Sequence, residues 1–514
     1  MSGFPLLTVM MVVPLVGAAV VALLPGGSAR LAKPIALATS LVTLALALLA
    51  WARFDGDGSS DRYQLTETHS WIPQFGVSYA LGVDGIALSL IVMATILTPV
   101  CLLAAWNDLG EDAEPQREKT YFALMLVLLT FMVGVFAARD VFLFYVFFEA
   151  MLIPVYFLIG LFGGPRRQYA AVKFILFSLV GGLVMLVAVI ALYFNGPGGE
   201  QGFLYEALEG GVTASTTTQR WLFVGFFIAF AIKAPMWPVH TWLPDAASEA
   251  RPATAVLLVG VLDKVGTFGM LRFCLGMFPE ASKWATPVVI TLAVISVIYG
   301  GLLAIGSRDI MRLIAFTSIS HFGLIVLGIF AMTSTAGSGS ALYMINHGFA
   351  TAGLFLIAGF LITRHGSQRI ADYGGWQRVT PLLAGTFLVS GLSSLALPGL
   401  SSYVSEFLVL TGTYQRYEVA AVIATLGIVL AALYILLTYQ RVFTGPRPVF
   451  LEGREPRDLG LREKLVVVPI IASFLLLGAY PKPVLDLVNP AVKQTLDLVG
   501  VTDPAPTNAS GSAQ

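Results

Sequence analysis

The chain has 514 residues, of which 57% are hydrophobic and only 12% are charged, and its formal net charge is zero. A soluble domain usually carries about a quarter charged residues, so this composition excludes an ordinary soluble protein, and the neutral balance gives no basic signature of nucleic-acid binding. The two cysteines, Cys101 and Cys274, lie in apolar runs and are too few for a zinc or iron–sulfur site.

Long apolar runs recur along the chain and predict an all-α, polytopic membrane protein, because about 20 consecutive apolar residues span a bilayer. The first run is long and lacks a small-residue cleavage site, so it is expected to be the first span rather than a signal peptide. About fourteen spans are expected on this criterion. They lie at Phe4–Leu24, Ile35–Trp51, Gly85–Trp106, Tyr121–Ala137, Val141–Phe162, Ala170–Phe194, Trp221–His240, Thr254–Phe278, Ala285–Ile305, Leu313–Met332, Ala341–Ile362, Leu382–Thr411, Val419–Phe443 and Leu465–Gly478.

The segments between the spans carry less structure. Val77–Val83 alternates apolar and small residues, which is typical of a short strand or hairpin. The tail from Thr502 to Gln514 is small and polar and is predicted to be disordered. If the N-terminus lies outside, the inside loops hold roughly twice as many lysine and arginine residues as the outside segments, so both termini are expected on the outer side of a bacterial plasma membrane.

Two proline-containing breaks divide the chain. Pro235, Pro238 and Pro244 interrupt the seventh predicted helix, and Pro398 and Gly399 interrupt the twelfth. One broken helix in each half is typical of transporters built from two inverted repeats. The single membrane domain is therefore expected to contain N-terminal helices in 1–107, five-helix repeats in 120–278 and 285–443, and a last helix in 464–480.

Four charged residues lie well inside predicted spans: Glu149, Lys233, Lys264 and Glu406. Each charge at membrane depth costs at least about 2.5–3.5 kcal/mol, so such residues usually pair or line a wet cavity and mark a functional path. Lys233 is at the first break and Glu406 lies just after the second, where freed carbonyl groups and water can solvate a charge.

Three further charged residues are ambiguous. Lys173 is near a helix start, where it is either an interfacial anchor or a partner of Glu149. Arg272 is near a helix end and is expected to extend its guanidinium to the membrane surface. Asp263 precedes Lys264 but points about 100° away on a helix, so the two need not pair.

Three histidines, His240, His321 and His347, also lie in apolar helices, and histidine titrates near neutrality. Together with the buried acids and lysines they predict a row of titratable groups over successive helices. No nucleotide or haem motif is present in the sequence, so energy must come from a partner or an ion gradient.

These residues resemble the antiporter-like proton-channel subunits of respiratory complex I. The segment His240–Ala246 (HTWLPDA) with the preceding AIKAPMWPV carries the strongest likeness, and the stretches GVDGIALSL, FFEAMLIPVYFLIG, FTSISHFGLIVLG and NHGFATAGLFLIAG also match. Within the family, Glu406 indicates the subunit M branch, because related subunits typically carry a lysine there. This chain departs from the family at Ala247, where a histidine is usual shortly after LPDA.

The resemblance implies a role for each residue. Glu149 and Lys233 would form a pair that opens and closes, Lys264 would be the central proton carrier, and the three histidines would lead through water towards Glu406 at the exit. The chain would be a non-redox subunit of a proton-translocating NADH:quinone oxidoreductase and no enzyme in isolation. NADH, FMN, iron–sulfur clusters and quinone would bind partner subunits, with the antiporter-like subunits L and N among the neighbours in the membrane arm.

Two alternatives share the same fold. One is a subunit of a stand-alone multisubunit cation/proton antiporter, and the other is a membrane subunit of a membrane-bound hydrogenase complex. A third reading, a polytopic enzyme that acts alone, has no cofactor motif to support it. The identity of the copurifying subunits discriminates between these readings.

Overall fold

The computed structural model describes residues 4–56, 61–110, 114–446 and 456–505. Within these ranges the chain forms α-helices, a two-stranded hairpin and short 3₁₀ and π-helical stretches. The helices are α1 (Leu6–Leu23), α2 (Ala32–Arg53), α3 (Gly85–Ala104), α4 (Pro115–Ala137), α5 (Val141–Ala150), α6 (Leu152–Phe162), α7 (Arg167–Asn195), α8 (Tyr205–Leu208), α9 (Thr216–Lys233), α10 (Trp242–Glu249), α11 (Pro252–Ala255), α12 (Lys264–Gly269), α13 (Pro279–Gly306), α14 (Ile310–Phe330), α15 (Ser334–His365), α16 (Pro381–Ser394), α17 (Ser401–Tyr414), α18 (Glu418–Phe443), α19 (Leu461–Ala479) and α20 (Lys482–Val499).

Eleven helical segments of the described chain are long and apolar enough to cross a membrane, or up to 12 if the bent pair α19 and α20 forms one span. The chain is therefore an integral membrane protein, as its composition predicts. The sequence-based expectation of about fourteen spans also counted three segments that are interrupted or short. These are Trp221–His240, which covers most of α9 and the residues that follow it, Leu382–Thr411, which covers most of α16 and α17, and Leu465–Gly478, which lies within α19.

Both predicted helix breaks coincide with interruptions of the helical conformation. Helix α9 stops at Lys233 and α10 begins at Trp242, while α16 stops at Ser394 and α17 begins at Ser401. Proline in the connecting residues removes backbone donors and clashes with the preceding turn, which ends the helix. In the second connection, Gly399 has a φ of 90°, a conformation that glycine adopts without a steric penalty.

A β-hairpin connects α2 to α3, and it confirms the strand predicted at Val77–Val83. Strand β1 (Gln64–Ile72) pairs antiparallel with β2 (Val77–Val83), with Gln64 opposite Val83 and Ile72 opposite Val77. Strand β2 is largely buried and β1 largely exposed. The hairpin therefore covers one end of the helix bundle.

The centre of the bundle is the segment Pro252–Leu275, which is completely buried, together with α14 and α15, which are almost completely buried. The central segment contains two π-helical stretches, Val256–Leu262 and Met270–Leu275, on either side of α12. The spans that contain α2, α7 and α18 are buried over only 28%, 39% and 33% of their most apolar stretches, so these helices lie at the periphery, as lipid-facing helices do.

The C-terminal part departs from the prediction, which ended the last helix at 480. A further helix, α20, follows α19 after a bend of 67° and packs against α3 and α15. It is amphipathic, with Val488, Val492 and Leu496 buried. The predicted disordered tail, Thr502 to Gln514, falls for its last nine residues, 506–514, outside the described part of the chain.

Candidate functional site

Lys264 is the first residue of α12 and lies at the centre of the buried segment, with no exposed surface. Its ammonium group donates to the carbonyl oxygen of Val259 at 2.7 Å and lies 2.6 Å from Nδ1 of His347 on α15. The ring of Phe322 lies 4.9 Å from the same nitrogen. The bond to Val259 reaches back five residues, the spacing of the π-helical turn in which Val259 lies. The segment thus aims Lys264 at α14 and α15.

From His347 a polar chain continues to Glu406. The ring centroids of His347 and His321 are 5.2 Å apart, and Nε2 of His321 lies 3.0 Å from the hydroxyl of Tyr434. The His321 ring also lies 5.9 Å from the ring of Tyr343, whose hydroxyl donates to Oε2 of Glu406 at 3.4 Å. All five side chains are buried. Helices α14, α15, α17 and α18 therefore supply one connected row from the central lysine to Glu406.

Glu149 and Lys233 lie on the other side of Lys264. Glu149 is near the end of α5, and Lys233 is the last residue of α9, buried with its Nζ 4.9 Å above the ring of Phe148. The two charges interact electrostatically, yet neither Lys233 Nζ nor Glu149 Oε1 has a hydrogen-bond partner among the described residues. Gly182 on α7 makes room for the acid, since a Cβ there would overlap the carboxylate. The acid and the lysine are neighbours without a direct bond.

Asp263 interacts electrostatically with both lysines but forms a hydrogen bond with neither. It is fully buried, and both of its carboxylate oxygens lack a hydrogen-bond partner among the described residues. It interacts electrostatically with Lys264 and Lys233. The sequence-based expectation that Asp263 and Lys264 need not pair agrees with the absence of a described hydrogen bond between them, but that expectation missed the buried carboxylate as a feature of the site.

Lys173 and His240 belong to a separate group. Nζ of Lys173 donates to Oδ2 of Asp245 at 2.7 Å, and Arg312 donates to the other oxygen at 2.7 Å, which joins α7, α10 and α14. His240 is buried against the ring of Tyr299 at 5.2 Å and interacts electrostatically with Lys173. No hydrogen bond in the described ranges joins His240 to the row, and the partner that Lys173 takes is Asp245 rather than Glu149.

The expectation that Arg272 reaches the membrane surface is wrong. Its side chain is 1% exposed and donates to Oδ2 of Asp84 at 3.0 Å and to the carbonyl oxygen of Ala138 at 3.2 Å. Asp84 is also the N-cap of α3, where it accepts from the backbone of Ala87. Burial opposes ionisation of this carboxyl, but the guanidinium groups of Arg272 and Arg62 lower the pKa of Asp84 below its ordinary value. Asp84, which is distant in sequence, therefore keeps the Arg272 guanidinium buried within the protein.

Sequence reasoning overlooked Tyr343, Tyr434 and Asp245. For Tyr343 a signal existed, because it precedes His347 by four residues and so lies on the same helix face. Tyr434 is one of two tyrosines in the apolar helix α18, and nothing in the sequence relates it to His321. Asp245 lies within the HTWLPDA segment, but its two basic partners come from helices distant in sequence.

The row has a definite chemical capability. Amine, imidazole, phenol and carboxyl groups each give up or accept a proton. Short polar contacts join Lys264 to His347, His321 to Tyr434 and Tyr343 to Glu406. The rings between these pairs are in contact without a described hydrogen bond, so a proton can pass between pairs through water or after side-chain rotation. Among the described residues, no group of three or more His, Cys, Asp or Glu side chains is arranged to hold a metal ion. Within the same ranges no hydrogen bond bridges Lys233 and Lys264, so a gap remains between the pair with Glu149 and the row.

Comparison with known proteins gives consistent similarities. Residues 138–431 match the family described as NADH:quinone oxidoreductase/Mrp antiporter, transmembrane. NADH-quinone oxidoreductase subunit M of Mycobacterium tuberculosis is 52% identical, over 99% of this chain and 97% of that protein. A chain in the structure of respiratory complex I from Thermus thermophilus with bound NADH superposes with a TM-score of 0.86 at 30% identity, over 96% of this chain and all of that chain. The Mrp complex of a Dietzia species shares the fold, with a TM-score of 0.85 at 22% identity over 97% of this chain and 98% of that chain.

Proposed function

This chain belongs to the NADH:quinone oxidoreductase/Mrp antiporter transmembrane family, and we propose that it is a proton-translocating subunit of the membrane arm of NADH:quinone oxidoreductase. The observation that carries the proposal is the buried row of titratable side chains from Lys264 to Glu406. Buried polar groups at membrane depth are retained where they form an ion or proton path.

Glu149 and Lys233 act as the switch of this path. An ionised Glu149 stabilises the charged form of Lys233, because opposite charges a few ångströms apart favour ionisation. When Glu149 is neutralised or drawn away, the buried Lys233 loses that support and gives up its proton. The absence of a direct hydrogen bond between the two supports a pair that opens and closes.

Lys264 is the central proton carrier. Its contact with His347 gives the proton a first acceptor, and the pair His347 and His321 leads on to Tyr434, Tyr343 and Glu406. Glu406 is the exit-side group. Moving one charge across the membrane requires about 2.3 kcal/mol per 100 mV, and a change of a few units in proton affinity, at about 1.4 kcal/mol each, supplies that amount.

We further propose fourteen spans, counting α9 with α10 and α16 with α17 as discontinuous helices 7 and 12. Residues 120–278 and 285–443 then form the two inverted repeats. The order of helices supports this division, because the interrupted helix is the fourth member of each set: α4, α5–α6, α7 and α9–α10 in the first, and α13, α14, α15 and α16–α17 in the second.

The subunit itself is non-redox. We propose that NADH, FMN, iron–sulfur clusters and quinone are held by partner subunits, and that the antiporter-like subunits L and N are neighbours of this chain in the membrane arm. The excess of lysine and arginine in alternate loops supports a bacterial plasma membrane location with both termini outside.

A stand-alone cation/proton antiporter or a hydrogenase subunit is less well supported. The likeness to the Mrp complex, at 22% identity, extends to the fold alone, whereas relatives named as oxidoreductase subunits reach 52% identity over nearly the whole chain. Purification of the complex distinguishes the readings, because only an oxidoreductase subunit copurifies with flavin and iron–sulfur proteins that oxidise NADH.

The central test uses Glu149→Gln and Lys233→Ala in the intact complex. We expect both variants to assemble but to lose NADH-driven proton pumping in inverted membrane vesicles, with coupled NADH oxidation strongly lowered. Glu280→Gln is the matched control, since Glu280 is a 70% exposed side chain on α13 whose described ion pair is with Lys283. Normal pumping in either of the first two variants would contradict the proposal.

A further inference from the structure

Asp263 is an unusual buried acid. It is 0% exposed, and neither of its carboxylate oxygens has a hydrogen-bond partner among the described residues. Most buried polar groups in native proteins are hydrogen-bonded, and an isolated buried carboxylate is costly. An acid in this position therefore needs a reason beyond packing.

The surroundings of Asp263 differ from those of Lys264. Lys264 turns towards His347 and Phe322, whereas Asp263 is about 100° away around the helix. Gly266 lies three residues further on, which puts it on the face of Asp263. A Cβ on Gly266 would come within 2.5 Å of the Phe230 carbonyl oxygen and 2.6 Å of the Ala234 nitrogen. The face of Asp263 therefore packs on the end of α9, where Lys233 is the last helical residue.

The charges agree with this placement. Asp263 interacts electrostatically with Lys264 and with Lys233, and Lys233 in turn interacts with both Glu149 and Asp263. Two acids, Glu149 and Asp263, therefore both act electrostatically on Lys233. When Glu149 is drawn away or neutralised, Asp263 is the acid that remains beside Lys233.

Proton transfer from Lys233 to Lys264 requires a proton acceptor between them. Nζ of Lys233 has no hydrogen-bond partner, and the partners of Lys264 are Val259 and His347, so no described hydrogen bond joins the lysines. Two ammonium groups repel each other and cannot exchange a proton directly, because neither can accept one. An intervening carboxylate both accepts a proton and screens the repulsion.

We propose that Asp263 carries the proton between Lys233 and Lys264, which rests on the proton-translocating function proposed above. An N–H bond of Lys233 breaks and an O–H bond forms on the Asp263 carboxylate. That O–H bond then breaks, and an N–H bond forms on the neutral amine of Lys264, which restores the carboxylate. No electrons are exchanged and no group other than the proton moves. Because neither oxygen is within hydrogen-bond reach of either lysine, each transfer proceeds through a bridging water or after side-chain rotation.

The test measures the rate of NADH-driven proton pumping by the intact complex in inverted vesicles carrying Asp263→Asn or Asp263→Glu, normalised to NADH oxidation with a soluble acceptor, which reports the amount of assembled complex. The amide has the shape of the acid but cannot carry a proton, so we expect Asp263→Asn to lower pumping and coupled turnover about a hundredfold or more, the usual effect of losing a proton-transfer group. Asp263→Glu keeps the carboxyl group, and we expect it to retain pumping within about threefold. Equal, wild-type pumping in both variants would overturn the inference.

Asp140 supplies the matched control, because it is another fully buried acid of the same chain. Its two oxygens accept from the backbone of Ser78 and Leu143, so its role is to hold β2 and α5 in place. We expect Asp140→Asn to reduce the amount of assembled complex but to leave the pumping rate per assembled complex unchanged. A fall in that rate equal to the fall in Asp263→Asn would show that any buried acid produces the effect, and would reject the assignment.

Infrared difference spectra of the working complex separate a proton carrier from a fixed counter-charge. A carrier is transiently protonated, so the wild type is expected to show a carboxylic C=O band from Asp263. This band should be shifted in Asp263→Glu and missing in Asp263→Asn. If the Asn variant does not assemble, the shift in the Glu variant alone tests whether Asp263 is protonated. Spectra in which no carboxylic band differs between the wild type and Asp263→Glu would overturn the inference. Loss of pumping in Glu149→Gln with normal pumping in Asp263→Asn would refute only the carrier, whereas normal pumping in Glu149→Gln refutes the proposed function itself.

Discussion

Replacing Lys264 with arginine separates the charge at the centre of the row from its ability to release a proton. The site offers the Val259 carbonyl at 2.7 Å and Nδ1 of His347 at 2.6 Å, and a guanidinium group can donate to both. Lys264→Arg therefore keeps a positive charge and hydrogen-bond donors in the site, but arginine remains protonated in proteins.

The size of the effect follows from how tightly arginine holds its proton, because removing that proton at pH 7 costs about 7–9 kcal/mol. A barrier of that size slows any step through a neutral side chain by about five orders of magnitude or more. We therefore expect Lys264→Arg to pump at less than about one hundredth of the wild-type rate, the practical floor of a vesicle assay, even though the charge is retained.

The assay follows acidification of inverted vesicles on addition of NADH, normalised to NADH oxidation with a soluble acceptor, which reports the amount of assembled complex. Lys264→Met serves as the companion variant, because it has a similar volume without charge or donors, and it should also fail to pump. Glu280→Gln should behave as wild type. Pumping by Lys264→Arg within twofold of the wild-type rate would refute the reasoning, since a group that cannot release its proton would then be sufficient.

Three further predictions test other parts of the molecule. Tyr343→Phe removes a hydroxyl that donates to Glu406 at the long distance of 3.4 Å, so pumping should fall only about 3- to 10-fold, as for one weak link; an unchanged rate in vesicles would exclude Tyr343 from the path. Glu406→Gln should impair coupled turnover while Glu406→Asp is milder, and equal wild-type rates in both would reject an exit role. Asp84→Ala leaves Arg272 buried without its acid, which should destabilise the protein by about 3–5 kcal/mol, measured as a lower thermal transition of the purified complex; an unchanged transition would show that Arg272 finds another partner.

The sequence was sufficient for the parts of the fold that depend on local composition. The apolar runs predicted most spans within a few residues, and the prolines after Lys233 and before Glu406 predicted both interruptions. The alternation of apolar and small residues at Val77–Val83 predicted the strand, although both faces of β2 are buried in the structure. In contrast, α20 was missed because its charges break the apolar run, and an amphipathic helix becomes stable only through the surface that it covers.

The sequence singled out several residues of the candidate site but not the contacts between them. The rarity of charge at membrane depth was enough to single out Glu149, Lys233, Lys264 and Glu406. Pairings, however, depend on which helices touch. Arg272 lies near a helix end in sequence, yet Asp84, 188 residues away, approaches it in space. Likewise, Tyr434 meets His321 across 113 residues, and one sequence without tertiary contacts contains no record of that approach.

The close contact at Gly266 constrains how this protein can work. A single hydrogen atom separates the backbone of α12 from that of α9, so the main chains of these two helices already touch where the proposed path passes from Lys233 to Lys264. They cannot move nearer, and moving them apart would open a void in a closely packed interior. The contact therefore behaves as a rigid joint with movable side chains. Side-chain rotation and water, rather than a rocking motion of α9 against α12, are left to control proton passage at this point.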